Sequence, residues 1–212
     1  MAGMTDGLLA QWRETVVRCG ADDPGSAAGA ELLARWGEPH RKYHTVEHLR
    51  AVLSHVDTLA AHAQNADAVR LGAWFHDAVY VPGQPGNEED SARLAETVLP
   101  RLGAGIRLTD EVARLVRLTA AHDPAPGDAN GGVLCDADLA VLGGGPGAYL
   151  AYVAAVREEY AFVPDELFRP GRAAILQQLL GLPALFHTPL GRERWAEAAR
   201  RNIEAELASY AS

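Results

Sequence analysis

The feature that most constrains the fold is an apolar segment, residues 66–80, with two adjacent polar residues in its second half. That half reads AWFHDAVY, so His76 and Asp77 stand among aromatic and aliphatic side chains. The segment is apolar nearly all round, which is typical of a central helix buried on every side. Burying a carboxylate costs several kcal/mol or more unless it is paired or bound to a metal ion. The segment therefore predicts a buried helix whose polar pair has a partner.

Other segments also predict helices, separated by loops rich in glycine and proline. From Val46, apolar residues recur at spacings of three and four up to about residue 60. Asn87 and Thr109 are candidate N-caps, and the helix that Asn87 begins should stop at Pro100. The remaining predicted helices span approximately 87–100, 109–122, 146–160, 171–181 and 191–210.

No stretch of the chain alternates as a strand would, so the predicted fold class is all-α. We expect a helical bundle of about seven to nine helices. The length of 212 residues suits one domain, residues 1–212, with a core of its own.

Composition narrows the classes of function. A net charge of −9 argues against binding to a nucleic-acid polymer or to an anionic membrane surface, but not against a small phosphorylated substrate. No apolar run approaches the roughly 20 residues of a membrane span, and the first residues do not resemble a signal peptide. Cys19 and Cys135 form neither a disulfide framework nor a CxxC pair, so we expect a reduced, cytoplasmic protein.

Histidines and aspartates of the type that ligate metals occur at helical spacing. His44 and His48 are four residues apart and would share one face of a helix. His76 and Asp77 would lie about 100° apart on a helix, close enough for both side chains to reach one cation. We therefore expect these segments to bring metal ligands together.

A second pair of aspartates interrupts the apolar segment LCDADLAVL. Carboxylates in apolar surroundings need a partner, and a bound metal ion can be that partner. Two residues apart on a helix, Asp136 and Asp138 face different sides. We expect Asp138 to face inward and keep Asp136 as a secondary metal candidate.

The order His48, His76–Asp77 and Asp138 resembles that of the HD superfamily of metal-dependent phosphohydrolases. The stretches YHTVEH, WFHDAVY, NEEDSA, DADLAVLG and REEY are more closely similar to an uncharacterised subgroup of predicted HD phosphohydrolases. The similarity runs from about residue 36 to residue 207. Members of the superfamily are all-α and bind one or two divalent ions. The resemblance implies four metal ligands, His48, His76, Asp77 and Asp138.

The YHTVEH stretch is also similar to that of cyclic-nucleotide phosphodiesterases, which belong to the same wider superfamily. That similarity implies that His48 is a metal ligand and that His44 protonates the leaving oxygen. It also selects Asp138 as the last aspartate ligand. Thr45 stands where those enzymes have asparagine, and most of their further motifs are missing. Cyclic nucleotides are therefore not implied as substrates.

Other residues are candidates for catalysis or for substrate binding. His122 could be an acid or base or a ligand of a second ion, and equally a histidine that favours a helix C-terminus. Glu88 could orient water or a ligating histidine, and equally compensate a helix dipole. The candidates for substrate binding are Arg41, Lys42, Arg172 and Tyr80, of which the first three are cations suited to phosphate.

These features together predict a divalent-metal-dependent hydrolase. It would cleave a phosphate ester or anhydride bond in a small molecule, with a nucleotide as the expected substrate. Imidazole and carboxylate ligands suit Mn, Mg, Zn, Co, Ni or Fe, with one or two ions per chain. Two alternatives stay open: a metal- or nucleotide-binding module without turnover, and a di-iron oxygenase that would use His122 as an additional ligand. The oligomeric state is not predicted.

Overall fold

A computed structural model describes residues 2–210 of the chain. About 73% of the protein is helical, and no strand occurs within the described residues, so the all-α prediction is confirmed. The helices are α1 (Ala2–Arg18), α2 (Ala27–Trp36), α3 (Val46–Leu59), α4 (Ala66–Phe75), α5 (Asn87–Arg101), α6 (Ile106–Leu118), α7 (Ala129–Leu139), α8 (Pro146–Glu159), α9 (Asp165–Gly181), α10 (Pro189–Gly191) and α11 (Glu197–Tyr210).

Ten of these helices between residues 2 and 210 have ten or more residues, one more than the upper end of the predicted range. The helices for which no span was predicted are α1 and α2, at the N-terminal end, and α7. A π-helical segment, Arg192–Ala196, joins α10 to α11, and three short 3-10 segments, Pro24–Ser26, Ala60–His62 and Ala140–Gly143, complete the helical structure.

Helix α4 lies at the centre of the fold, as its sequence predicts. It packs against α3, α6 and α7, and most of its side chains are fully buried. Gly72 allows this close packing, because a Cβ atom there would lie 3.3 Å from Leu134 and 3.4 Å from Leu115. The apolar core continues without a break from Trp12 of α1 to Ile203 of α11.

The central helix is shorter than predicted and ends at Phe75 rather than near residue 80. His76 still has helical backbone angles and makes the last helical hydrogen bond, from its N–H to the Gly72 carbonyl. The chain then turns, and the guanidinium of Arg41 donates to the carbonyls of Asp77 and Ala78 at 2.7 and 3.3 Å. These bonds hold the turn that follows α4. The last carbonyls of the helix itself, on Ala73, Trp74 and Phe75, accept from the His76 ring, the Trp36 indole and the Ala78 N–H.

The other helix boundaries differ from the predictions by a few residues. Gly86, not Asn87, is the N-cap of α5, while the Asn87 side chain bonds to backbone groups of the preceding loop. Pro100 lies within the last turn of that helix and does not end it. Thr109 lies one turn inside α6, where its hydroxyl donates to the Gly105 carbonyl at 3.3 Å.

Helix α7 begins before the apolar segment LCDADLAVL, and helix α9 begins earlier than its predicted span of 171–181. Helix α7 begins at Ala129, because the carboxylate of Asp128 caps it by accepting a hydrogen bond from the Gly131 N–H. Helix α9 begins at Asp165.

Among the described residues, no single helix has the length and composition to cross a membrane. One pair of helical segments bent by 103°, Ala129–Gly143 with Pro146–Glu159, meets those two criteria together.

Candidate metal centre and its cavity

Three helices bring together three side chains that could hold a metal ion. His48 lies in α3, His76 follows α4, and Asp138 lies near the end of α7, and these helices pack against one another. His48 Nε2 lies 3.0 Å from Asp138 Oδ1 and 3.3 Å from His76 Nε2. His76 Nε2 lies 3.5 Å from Asp138 Oδ1. One donor atom from each residue thus falls within 4.8 Å of the others.

Asp77 lies beside this group, at the edge nearest His44. Its Oδ2 is 3.3 Å from His76 Nε2 and 3.9 Å from His44 Nε2. The turn after α4 therefore points Asp77 and His76 toward the same space. Convergence of the His-Asp pair was predicted from a continuous helix, and the structure achieves it with a helix end.

The hydrogen bonding of His76 shows which ring nitrogen faces the group. Its Nδ1 lies 2.8 Å from the carbonyl oxygen of Ala73, which can only accept, so Nδ1 must carry the hydrogen. In the neutral ring, Nε2 then presents a lone pair toward the oxygens of Asp77 and Asp138. Burial would lower the pKa of His76, but these two carboxylates outweigh it and raise the pKa to about 9.

These acceptor atoms fit a divalent cation. Several lone pairs directed at one another need a positive charge between them, which can be a proton or a metal ion. A ligating histidine commonly donates its other ring N–H to a backbone carbonyl, as His76 does. Nitrogen and carboxylate donors together suit borderline and hard divalent ions rather than a thiolate-preferring ion.

Asp138 holds the group from the α7 side. Its Oδ1 faces His48, and its Oδ2 accepts a hydrogen bond from His122 Nε2 at 2.8 Å. Burial alone would raise the pKa of Asp138, but His76, His122 and His48 together hold it well below its ordinary value. His122 adopts the left-handed region, with φ +52°, in the turn after α6, and this conformation places its ring at the carboxylate.

His44 lies before α3, not on it. Thr45 is the extended N-cap of α3, so the prediction that His44 and His48 share a helical face is wrong in its mechanism. The two rings are nevertheless close, with centroids 5.7 Å apart. The loop holds His44 in place because Glu159 Oε2 accepts hydrogen bonds from the backbone N–H groups of residues 42, 43 and 44 at 2.8–3.1 Å.

Glu159 also orients the His44 ring. Its Oε1 accepts from His44 Nδ1 at 2.6 Å and from the Tyr80 hydroxyl at 2.7 Å. Burial would raise the pKa of Glu159, but these bonds, led by that of His44, lower it to about 2, so the group is ionised. For His44 the directions are reversed: burial would lower its pKa, but the carboxylates of Asp77 and Glu159 outweigh burial and raise the pKa. His44 Nε2 is thus directed away from Glu159 and toward Asp77.

Sequence reasoning did not identify Glu159 as a functional residue. It lies in the stretch REEY, which the resemblance includes without implying a role for this glutamate. Its hydrogen-bond partners lie 79 to 117 residues earlier in the chain, so no short motif contains them.

The group opens into a cavity of about 710 Å³. Eight of the predicted site residues line it: His44, His76, Asp77, Tyr80, Glu88, His122, Asp138 and Arg172. Other lining residues come from α8, α9 and the turn between them. A cavity of this size is within the range of small-molecule sites.

Comparisons with protein-family models, with curated proteins and with solved structures found no match to this chain.

Two of the predicted phosphate-binding cations have other partners. Arg41 is buried and bonds to the carbonyls of His44, Asp77 and Ala78, so its role is to fix the loop and the turn around the group. Lys42 is exposed and pairs with Glu158 at 3.6 Å. Neither residue lines the cavity, so we correct both assignments.

The remaining predicted cation and the second aspartate are also engaged elsewhere. Arg172 lines the cavity, but its guanidinium donates to Glu206 at 2.9 Å and to the Tyr152 hydroxyl at 2.9 Å. Asp136 accepts hydrogen bonds from the backbone N–H of His187 at 2.6 Å and of Thr188 at 2.8 Å. Its oxygens thus anchor the loop before α10, and Asp136 does not join the group of His48, His76 and Asp138 that could hold a metal ion.

Proposed function

We propose that this protein is a divalent-metal-dependent phosphohydrolase acting on a small phosphorylated molecule. The observation that carries the proposal is that a histidine–aspartate group suited to a metal ion and an oriented histidine, His44, face one cavity. The resemblance of YHTVEH, WFHDAVY and DADLAVLG to HD phosphohydrolases supports the same conclusion.

His48, His76 and Asp138 would hold the ion, with Asp77 beside them as a further ligand. A divalent ion held there would supply a nucleophilic hydroxide near neutral pH and would neutralise charge on the phosphate. His122, bonded to the second oxygen of Asp138, is the ligand that we assign to a second ion.

His44 is the proton donor of this proposal. Its Nδ1 donates to Glu159, and its Nε2 is directed toward the cavity side of Asp77. When the phosphorus–oxygen bond breaks, the leaving oxygen takes the proton from Nε2, and the ionised Glu159 stabilises the ring while it is charged. A histidine with a raised pKa is well suited to donate near neutral pH.

The experiment measures phosphate release by the chelator-treated protein after separate reloading with Mn, Mg, Zn, Co, Ni and Fe(II). The substrates are simple phosphate monoesters and nucleotides. Asp138→Asn removes a ligand with little change in shape, and Asp90→Asn, at an exposed position on α5, is the matched control. We expect metal-dependent release by the native protein and by Asp90→Asn, and at least about a 100-fold loss in Asp138→Asn.

The outcomes separate the alternatives. Release that is independent of added metal, or unchanged in Asp138→Asn, would contradict the proposal. Tight binding of metal and nucleotide without any product would favour a binding module. Iron retained during aerobic purification, together with oxygen consumption, would favour a di-iron oxygenase.

A further inference from the structure

We propose that the cavity selects phosphate esters with one phosphate and a largely apolar or aromatic alcohol group, and that it disfavours polyphosphates. This inference rests on the proposed function, because it assigns the substrate class of the same site. It depends on three observations: the apolar part of the cavity lining that α8 and α9 provide, the exposure of some of those apolar residues, and the charges in the cavity.

One part of the cavity lining is predominantly apolar. It is formed mainly by Tyr152, Val156, Tyr160, Leu167, Phe168 and Ile175, from α8, α9 and the turn that joins them. The polar part of the lining, with His44, Asp77 and Asp138, comes from other segments of the chain. A ligand that fills this space must therefore be polar in one part and apolar in the rest.

Part of this apolar wall is exposed to solvent. Leu167 is 65% exposed and Ile175 is 54% exposed, although both line the cavity. Phe162, which is 65% exposed, stacks on Tyr160 with ring centroids 5.9 Å apart, and so extends the apolar surface beyond the wall. Covering such surface with an apolar ligand group is favourable in proportion to the area removed from water.

The charges limit the number of phosphates. Among the described residues that line the cavity, Arg172 is the one arginine or lysine, and Glu206 already matches its charge. Three carboxylates, Asp77, Glu88 and Asp138, line the same space. One phosphate can be neutralised beside the metal-ligating group, whereas further phosphates would meet carboxylates and apolar side chains.

The test uses ligands that differ only in apolar length. Methyl-, butyl- and hexylphosphonate, below their micellar concentrations, are titrated calorimetrically into the metal-loaded protein. Each buried methylene should tighten binding about two- to fourfold, so hexylphosphonate should bind at least about 30-fold more tightly than methylphosphonate. In parallel, kcat/KM is measured for the matching alkyl phosphates, whose leaving groups have similar basicity, and for ATP.

A pair of matched variants locates the effect. Ile175→Asn places a neutral polar group on the cavity wall at a position that is already half exposed. Leu150→Asn makes a similar change on α8, at a position 68% exposed that does not line the cavity. We expect Ile175→Asn to weaken hexylphosphonate binding about fivefold with little change for methylphosphonate, and Leu150→Asn to change neither.

The outcomes separate this inference from the proposed function. Equal binding of methyl- and hexylphosphonate, or faster hydrolysis of ATP than of hexyl phosphate, would overturn the inference and leave the hydrolase intact. If no phosphate ester is hydrolysed with any metal, the proposed function fails. The chain-length dependence of phosphonate binding then still decides whether the cavity takes an apolar ligand.

Discussion

Replacing Glu159 by glutamine tests the orientation of His44 with a change of one atom. The carboxylate accepts three backbone N–H groups on one oxygen, and the His44 ring and the Tyr80 hydroxyl on the other. A glutamine side chain has one accepting oxygen and one NH₂ donor. In either orientation its NH₂ group therefore meets groups that donate, and at least one buried donor loses its partner.

The structure sets the size of the effect. Glu159 titrates at about 2 instead of 4.5, and one pKa unit corresponds to about 1.4 kcal/mol, so its partners favour the ionised form by roughly 3 kcal/mol. We expect Glu159→Gln to lower the free energy of unfolding by about that amount, since a buried donor without a partner costs about 1–3 kcal/mol. We also expect kcat for an alkyl phosphate to fall about 100-fold, the usual contribution of a general acid.

A comparison of leaving groups separates proton donation from a merely structural role. An ester with an acidic leaving group, such as p-nitrophenyl phosphate, needs little protonation, so its turnover should fall far less than that of an alkyl phosphate. Urea unfolding measures stability in the same variants. Glu158→Gln, at the neighbouring exposed position paired with Lys42, is the control and should change neither property. Equal losses for both esters, or no loss in Glu159→Gln, would refute the reasoning.

Three further predictions concern the stability of the scaffold. Arg41→Met should lower the free energy of unfolding by about 2–3 kcal/mol in urea titrations, because the buried carbonyls of Asp77 and Ala78 lose their donor. No change would contradict the role of Arg41 in holding the turn after α4. Arg172→Met should cost about 3–5 kcal/mol by the same measurement, since it leaves Glu206 buried without its partner, and double replacement with Glu206→Gln should recover part of this loss. Glu159 has a lowered pKa, so its contribution of roughly 3 kcal/mol to the free energy of unfolding is present above about pH 4.5 and is lost as pH falls toward 2. Between these pH values, the free energy of unfolding should therefore change less with pH in Glu159→Gln than in the native protein.

Local patterns in the sequence predicted much of the fold. The apolar periodicity from Val46 predicts α3, and the all-round apolar segment predicts the buried helix α4. The turn after α4 was not predictable locally, because the group that holds it is Arg41, which lies 36 residues before Asp77 in the chain. For the same reason, Arg41 resembles a phosphate-binding cation in the sequence and has a structural role in the fold.

The candidate site divides in a similar way. His48, His76 and Asp138 were predicted together from residue type, spacing and resemblance, and the fold brings them into one group that could hold a metal ion. Glu159 was missed because its role in orienting His44 depends on a contact between the loop before α3 and the end of α8. Helical spacing predicted that Asp136 and Asp138 face different sides and the resemblance selected Asp138, but the anchoring of the loop before α10 by Asp136 required the fold.

The most direct test of the central claim is the metal content of the purified protein, measured by elemental mass spectrometry beside Asp138→Asn and Asp90→Asn. Each protein is analysed as purified and again after soaking with divalent ions and removal of the excess. We predict one or two ions per chain in the native protein and in Asp90→Asn, and little in Asp138→Asn. Equal metal in all three proteins, or none in any of them after soaking, would contradict the assignment of His48, His76 and Asp138 as metal ligands.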